Sequence, residues 1–172
     1  VDTYHGHAHF VDNNTIEVNS TVEPTHAIKA KNIILATGSR PFHPPELSFD
    51  ISGVYDSDTI LQMKNDPKSI VIYGAGVVGC EYASIFRALG NKVTLVNSKS
   101  KLLSFLDEEI TDALSYHLRD KGIWIRQNER CHSLEENAGN VLCHLQSGKT
   151  LKSSSVLVAL GRCGNSDYLN LD

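Results

Sequence analysis

The chain has 172 residues and a mass of 18.9 kDa, enough for one domain or for one domain and part of another. Its 16 Lys and Arg residues against 20 Asp and Glu residues give a formal net charge of −4, which argues against a nucleic acid held by its phosphates. The 41% hydrophobic content supports a packed core and argues against disorder, and every apolar run is far shorter than the ~20 residues that cross a bilayer. With no secretion signal at the start, we expect a soluble, cytoplasmic protein that contacts neither nucleic acid nor membrane.

The cysteines are scattered and form no C-x-x-C pair. They are Cys80, Cys131, Cys143 and Cys163. Zinc sites and thioredoxin-like centres need closely spaced thiols, so we expect neither a metal nor a redox pair here. The chain also begins without Met and looks like a piece of something longer.

The first part of the chain has the pattern of strands. Alternating residues predict a β-hairpin over 4–19, with its turn at 12–14, and another strand over 27–30. His5, His7 and His9 would share one face of the hairpin, where a solvated strand face is favoured over a metal site.

An unbroken apolar run follows over 32–36 and ends in Thr37-Gly38. Such a run is typical of a strand buried on both faces of a parallel sheet. Prolines at 41, 44 and 45 then exclude regular helix, so 40–52 is predicted to be a linker.

Beyond the linker, strands and helices alternate. A short helix over 59–63 is predicted with Ser57 or Asp58 as its cap. The predicted strands cover 69–73, 92–97, 123–126, 131–134, 141–146, 150–151 and 156–160. The predicted helices cover 77–89 and a segment that opens at 107–109, with Ile110, Ala113, Leu114 and Leu118 as its apolar stripe and Gly122 at its end.

This order of elements predicts the fold class. A βαβαβ unit, an antiparallel β excursion and a final parallel strand are typical of an α/β, Rossmann-like dinucleotide-binding domain. Right-handed crossovers place both helices against the parallel sheet.

A glycine turn is the strongest chemical signal in the sequence. Gly74-Ala75-Gly76-Val77-Val78-Gly79 is a G-x-G-x-x-G motif between a predicted strand and a predicted helix. The first glycine allows the tight turn, the second lets the backbone approach a pyrophosphate, and the third permits close helix–strand packing. A purely structural turn is the alternative, but the flanking elements favour dinucleotide binding.

The end of the next strand indicates which dinucleotide. Asn97 lies near the position, ~20 residues after the first glycine, where NAD-specific sites carry an acidic residue. An uncharged amide does not repel a 2′-phosphate, and Ser98 and Lys99 could bind one. A solvated loop explains the lysine equally well. We predict a site that accepts both NAD(H) and NADP(H).

Glu81 is predicted to lie in the first turn of the helix after the glycine motif. It could act there through the helix dipole or contact a distal part of the cofactor, and the residues alone leave both open.

Three motifs together carry a family resemblance. They are Ala36-Thr37-Gly38-Ser39-Arg40-Pro41, the glycine motif with Glu81, and Ala159-Leu160-Gly161-Arg162 with Asn165. The chain resembles the two-dinucleotide flavoprotein disulfide-reductase family over essentially its whole length. The resemblance implies a partial FAD-binding domain over 1–45 with remnant β-strands, an NAD(P)-binding domain over 46–165, and a return to the FAD domain over 166–172.

The resemblance also implies a reaction. The stretches 55–58, 79–87 and 114–117 are similar to those of cytoplasmic members that move hydride from NADPH through FAD to NAD. It places Glu81 near the nicotinamide ribose, the Gly161 backbone near the nicotinamide, and Cys131 near the adenine. Ala36, Thr37 and Gly38 would belong to the FAD side, and no side chain of this chain need be catalytic.

The same resemblance sets limits. The family's first FAD motif, redox-active region and dimerisation domain are not in the sequence, so we expect little FAD and no activity from this chain alone, and a homo-oligomer for the full-length protein. The strands of 1–45 would normally pair within that FAD domain, so we expect them to be disordered or mispaired without it. A dihydrolipoamide dehydrogenase or glutathione reductase relative, a non-catalytic nucleotide-binding module and an S-adenosylmethionine-dependent transferase are the alternatives.

Overall fold

The computed structural model describes residues 1–171, which form two compact units. The first unit joins Val1–Arg40 to the C-terminal segment that begins at Cys163, and the second comprises Pro41–Arg162. Among the described residues, no helix has both the length and the apolar content needed to cross a membrane.

The first unit is built on an antiparallel sheet in the order β1-β2-β3, with β1 at His7–Asp12, β2 at Thr15–Asn19 and β3 at His26–Lys29. The predicted hairpin is confirmed, and the Asp12 carboxylate accepts the Asn14 N–H at 2.8 Å in its turn. A short strand, β4, follows at Ser39–Pro41.

The buried strand predicted over 32–36 is wrong. These residues form no strand, and Ile34 is 92% exposed. A strand buried on both faces needs hydrogen-bonding neighbours, and no strand in residues 1–171 pairs with this run.

The second unit is the predicted α/β domain. Its parallel sheet has the order β5-β12-β6-β7-β8, and an antiparallel sheet has the order β11-β10-β9. The strands of the unit are β5 (Val54–Tyr55), β6 (Ser69–Tyr73), β7 (Lys92–Val96), β8 (Trp124–Arg126), β9 (Cys131–Asn137), β10 (Asn140–Leu145), β11 (Thr150–Ser153) and β12 (Ser155–Val158). The helices are α1 (Val77–Ala88) and α2 (Glu108–Asp120), with a 3-10 helix at Thr59–Gln62. A last strand, β13 (Arg162–Gly164), leads back into the first unit and pairs there with β4.

The parallel sheet is covered on both faces, which explains its unbroken apolar strands. On one face, Ile72 and Leu95 pack with α1 through Ala83 and Phe86. The other face packs against the antiparallel sheet, and its members include Val71, Val96, Val156, Val141 and Leu145.

Two local predictions are corrected by the structure. The buried residues of α2 are Thr111, Ser115 and Leu118, whereas Ile110 is 59% exposed and Ala113 is exposed. The two buried hydroxyls are hydrogen-bonded within the helix, because Thr111 Oγ1 donates to the Glu108 oxygen at 2.9 Å and Ser115 Oγ accepts from Arg119 at 2.5 Å, so these polar residues can face inward.

The cap of the 3-10 helix is also different from the prediction. Asp58 occupies the cap position but makes no side-chain cap bond there. The buried Asp56 carboxylate instead accepts the N–H groups of Asp58 at 2.9 Å and of Thr59 at 2.7 Å.

Candidate dinucleotide-binding site

A cleft of about 360 Å³ opens where β6, β7 and β12 end. Ligands of open parallel sheets bind at this edge, because the loops that follow the strands meet there. The described residues that line it are Gly74, Ala75, Gly76, Val77, Val78, Asn97, Ser98, Lys99, Lys101, Leu103, Ser104, Phe105, Ala159, Leu160 and Gly161.

The glycine turn forms the base of the cleft. Gly74 has a φ of 113°, and a Cβ there would lie 2.3 Å from the Ala159 carbonyl oxygen. A Cβ on Gly79 would lie 1.8 Å from the Gly74 oxygen. Both positions therefore require glycine, because backbone atoms occupy the space a side chain would need.

Gly76 differs from its neighbours. It is exposed, and a Cβ there would meet no described atom within 4 Å. The open space beside it fits the close approach of a ligand to the backbone, which is the reason a dinucleotide turn has glycine at this place.

The N-terminus of α1 faces the cleft through Val77 and Val78. No side chain caps this end, and the first helical bond runs from the Cys80 N–H to the Gly76 oxygen at 3.0 Å. The N–H groups of the first turn precede that bond, and with the helix dipole they provide positive potential for an anionic group.

Asn97 is only 6% exposed and closes a turn at the end of β7. Its side-chain Nδ2 donates to the Lys101 backbone oxygen at 2.8 Å. Its backbone N–H donates to the Arg126 oxygen at 2.8 Å, and its backbone oxygen accepts the Glu129 N–H at 3.0 Å. Asn97 thus lines the cleft and also fixes the loop beside it. Its contact with a ribose stays a prediction.

The loop after Asn97 makes the polar end of the cleft. Lys99 Nζ donates to Ser104 Oγ at 2.9 Å, and the Leu103 N–H donates to the Ala75 oxygen at 3.0 Å, which joins this loop to the glycine turn. In this loop, the site residues predicted from the sequence are Asn97, Ser98 and Lys99, and they omit Lys101, Leu103, Ser104 and Phe105, which also line the cleft. Their only signal is their place between a strand and a helix.

Gly161 lies across the cleft, after β12. Its φ is 107°, and its oxygen accepts the Phe42 N–H at 3.0 Å. The next residue, Arg162, donates to Asp58 through both terminal nitrogens, at 2.6 and 3.2 Å. This forked ion pair is geometrically specific and fixes the chain next to Gly161.

Three residues predicted to contact the cofactor lie outside the cleft lining: Gly79, Glu81 and Cys131. Glu81 is exposed, and its placement in the first turn of α1 is wrong because it is the fifth residue of that helix. Cys131 is 2% exposed, lies in the core between the two sheets and donates from Sγ to the Ser133 oxygen at 3.4 Å.

Cys80, beside Glu81, is buried in α1. Burial, reinforced by the charge of Glu81, raises the pKa of its thiol to about 11. Because the thiolate is the reactive form, Cys80 is a packing residue at neutral pH.

In the first unit, Ala36, Thr37 and Gly38 are exposed, and the C-terminal segment is hydrogen-bonded to the last two of them. Asn165 Nδ2 donates to the Thr37 oxygen at 3.1 Å, and its N–H donates to the Gly38 oxygen at 3.0 Å. The motifs around Gly38 and Asn165 are therefore neighbours in space.

Comparison with known proteins shows the family. A protein-family model described as "Pyridine nucleotide-disulphide oxidoreductase" matches residues 1–171. The chain belongs to the pyridine nucleotide-disulphide oxidoreductase family. This confirms the family resemblance that the three sequence motifs carry.

Curated relatives in this oxidoreductase family are longer than the chain. It is 51% identical over its whole length to "Soluble pyridine nucleotide transhydrogenase" of Marinomonas sp. (strain MWYL1), of which it spans 37%. It is 50% identical over 97% of its length to the protein of that name from Photobacterium profundum, of which it spans 36%.

A solved structure supports the same fold. The chain is similar to the HOCl-induced flavoprotein disulfide reductase RclA from Escherichia coli, with a TM-score of 0.81 and 30% identity. The match covers 98% of this chain and 38% of that one. The predicted α/β fold is confirmed.

Proposed function

We propose that this chain is the NAD(P)(H)-binding segment of a flavin-dependent transhydrogenase that transfers hydride from NADPH to NAD. Its curated relatives at about half identity carry the name transhydrogenase, and their description as soluble supports a cytoplasmic location. Because the chain spans little more than a third of those relatives, the reaction is assigned to the full-length protein.

One observation carries the binding part of the proposal. The open backbone at Gly76 and the uncapped start of α1 meet at the carboxyl edge of a parallel sheet. Together they form a cradle that a pyrophosphate fits, because main-chain N–H groups replace the water around its charge.

The residues have distinct tasks in this assignment. The turn from Gly74 to Gly79 holds the pyrophosphate, Asn97 with Ser98 and Lys99 lies at the adenosine ribose, and Gly161 offers its backbone to the nicotinamide half. A bound nicotinamide ring supplies or accepts a hydride, so the chain itself needs only to bind and orient it. The contacts of Glu81 with the nicotinamide ribose and of Cys131 with the adenine stay predictions, and neither residue lines the cleft.

Fewer residues support the assignment to the FAD-binding domain. We assign Ala36, Thr37 and Gly38 to it because all of them are exposed, and because Thr37 and Gly38 accept hydrogen bonds from Asn165, the end of the third family motif. A flavin-dependent disulfide reductase is the second candidate, supported by the likeness to RclA at lower identity.

Titration of the chain with NADH and with NADPH tests the binding assignment. We expect both to bind, with Asn97→Glu weakening NADPH at least about tenfold more than NADH through repulsion of the 2′-phosphate. Asn97→Gln is the matched control, because it lengthens the side chain by the same methylene group as Asn97→Glu without adding a charge. Failure of both cofactors to bind the unchanged chain would refute the proposal, and equal losses in both variants would refute the role of Asn97.

A further inference from the structure

An ion pair stands at the polar end of the cleft. Lys101 Nζ contacts Glu108 Oε1, and the Glu108 side chain is 73% exposed at the start of α2. A second cavity, of about 600 Å³, is lined by both residues and shares Lys99, Lys101 and Ser104 with the dinucleotide cleft. The ion pair therefore borders the space next to the adenosine ribose position.

The two lysines of this loop differ in what they bind. Lys99 donates to Ser104, a neutral hydroxyl, whereas Lys101 is held by a carboxylate. An incoming anion can bind Lys99 without breaking an ion pair. To take Lys101 it must displace Glu108, whose own negative charge would remain close by.

We propose that Glu108 is a specificity-determining residue that lowers affinity for NADPH relative to NADH. The inference rests on the proposed binding of both cofactors in this cleft. The 2′-phosphate of NADPH meets a Lys101 whose charge Glu108 already neutralises, and the Glu108 carboxylate repels it. NADH has no 2′-phosphate, so neither charge changes its affinity. Discrimination here comes from a repulsive element as well as from attractive ones.

The position of Glu108 keeps the pair in place. Asp107 caps α2 by accepting the Glu109 N–H at 3.0 Å, so the helix starts at a fixed residue. The positive end of the helix dipole then stabilises the Glu108 carboxylate beside Lys101. Glu109 follows it in the same first turn and has no ion pair among the described residues.

The test compares Glu108→Gln with Glu109→Gln, a matched control that removes the same charge one residue further along the helix. Dissociation constants for NADH and NADPH are measured at low and high salt, after circular dichroism has verified the fold of each variant. We expect Glu108→Gln to tighten NADPH about two- to fivefold and to leave NADH unchanged. The gain should shrink at high salt, because both charges are partly exposed.

Lys101→Met completes the test. This variant should weaken the binding of NADPH and leave that of NADH unchanged. Adding Glu108→Gln to Lys101→Met should raise the affinity for NADPH by less than Glu108→Gln does alone, because the two residues act as a pair. Equal shifts for the two cofactors, no shift at all, or the same shift in Glu109→Gln would overturn the inference and leave the proposed function standing. Absence of binding to the unchanged chain would overturn both.

Discussion

Two apolar runs that each lead to a glycine have opposite fates in this chain. The run in β6 ends at Gly74 and is buried, with Ile72 at 0% exposure. The run over 32–36 ends at Thr37-Gly38 and is largely exposed, with Ile34 at 92%. The two have nearly the same local composition, so composition does not separate them.

The difference lies in their neighbours. β6 pairs with β12 on one side and with β7 on the other, and both faces of the sheet are covered. No strand within residues 1–171 pairs with 32–36. An apolar run thus becomes a strand only where other segments satisfy its backbone groups and bury its side chains.

The glycine turns sharpen this comparison, and Gly79→Val should have the largest effect. A Cβ at Gly79 would lie 1.8 Å from a backbone oxygen that is itself fixed by the turn. We expect a loss of about 4 kcal/mol or more in the free energy of unfolding, because neither partner can move away. Urea unfolding followed by the fluorescence of Trp124, the one tryptophan of the sequence, measures it.

Two glycine variants serve as controls. Gly76→Ala lies in the same turn, where a Cβ meets no described atom within 4 Å, and should leave the unfolding free energy nearly unchanged. Gly38→Ala lies at the end of the exposed run, where the φ of 76° makes alanine moderately unfavourable. If Gly79→Val unfolded at the same urea concentration as Gly76→Ala, the close approach of backbone atoms to Gly79 would be refuted.

Truncation of the two runs tests the comparison directly. Ile72→Ala should lower the free energy of unfolding by about 3 kcal/mol, because it leaves a cavity in the core. Ile34→Ala should change it by less than about 0.5 kcal/mol, because the side chain is already in solvent. Circular dichroism during urea unfolding reports on both units. A large loss from Ile34→Ala would show that the run is buried after all.

The sequence was sufficient where local signals and long-range packing agree. The glycine motif, the strands around it and the alternation of strand and helix predicted the parallel sheet and the turn that lines the cleft. The inward face of α2 was missed because Thr111 and Ser115, rather than Ile110 and Ala113, are buried, with their hydroxyls bonded to the Glu108 oxygen and to Arg119. The periodicity of apolar residues does not contain these hydrogen bonds.

The site was predictable at its glycine turn and less so elsewhere. Lys101 and Ser104 line the cleft because the Leu103 N–H binds the Ala75 oxygen, and Leu103 has a φ of 42° to do so. No residue pattern signals a leucine in the left-handed region, since that conformation is imposed by its surroundings. Likewise, Glu81 matches a family motif but lies outside the lining of the cleft.

The smallest effect concerns two carboxylates that accept backbone N–H groups, one in each unit. Burial acts to raise the pKa of Asp56, but hydrogen bonds from the Thr59 N–H, His43, the Thr59 hydroxyl and the Asp58 N–H outweigh it and hold that pKa below its ordinary 3.8. A carboxyl with a lowered pKa stabilises the fold above pH 3.8, and that stabilisation is lost as the pH falls through its folded-state pKa.

Asp56→Asn should therefore lower the free energy of unfolding by about 1 kcal/mol at pH 7, and the difference from the unchanged chain should disappear in acid. Asp12→Asn, at an exposed carboxylate in the hairpin turn, should leave the Trp124 transition where it is, and a gap for Asp56→Asn that stayed constant down to about pH 3 would contradict the assignment.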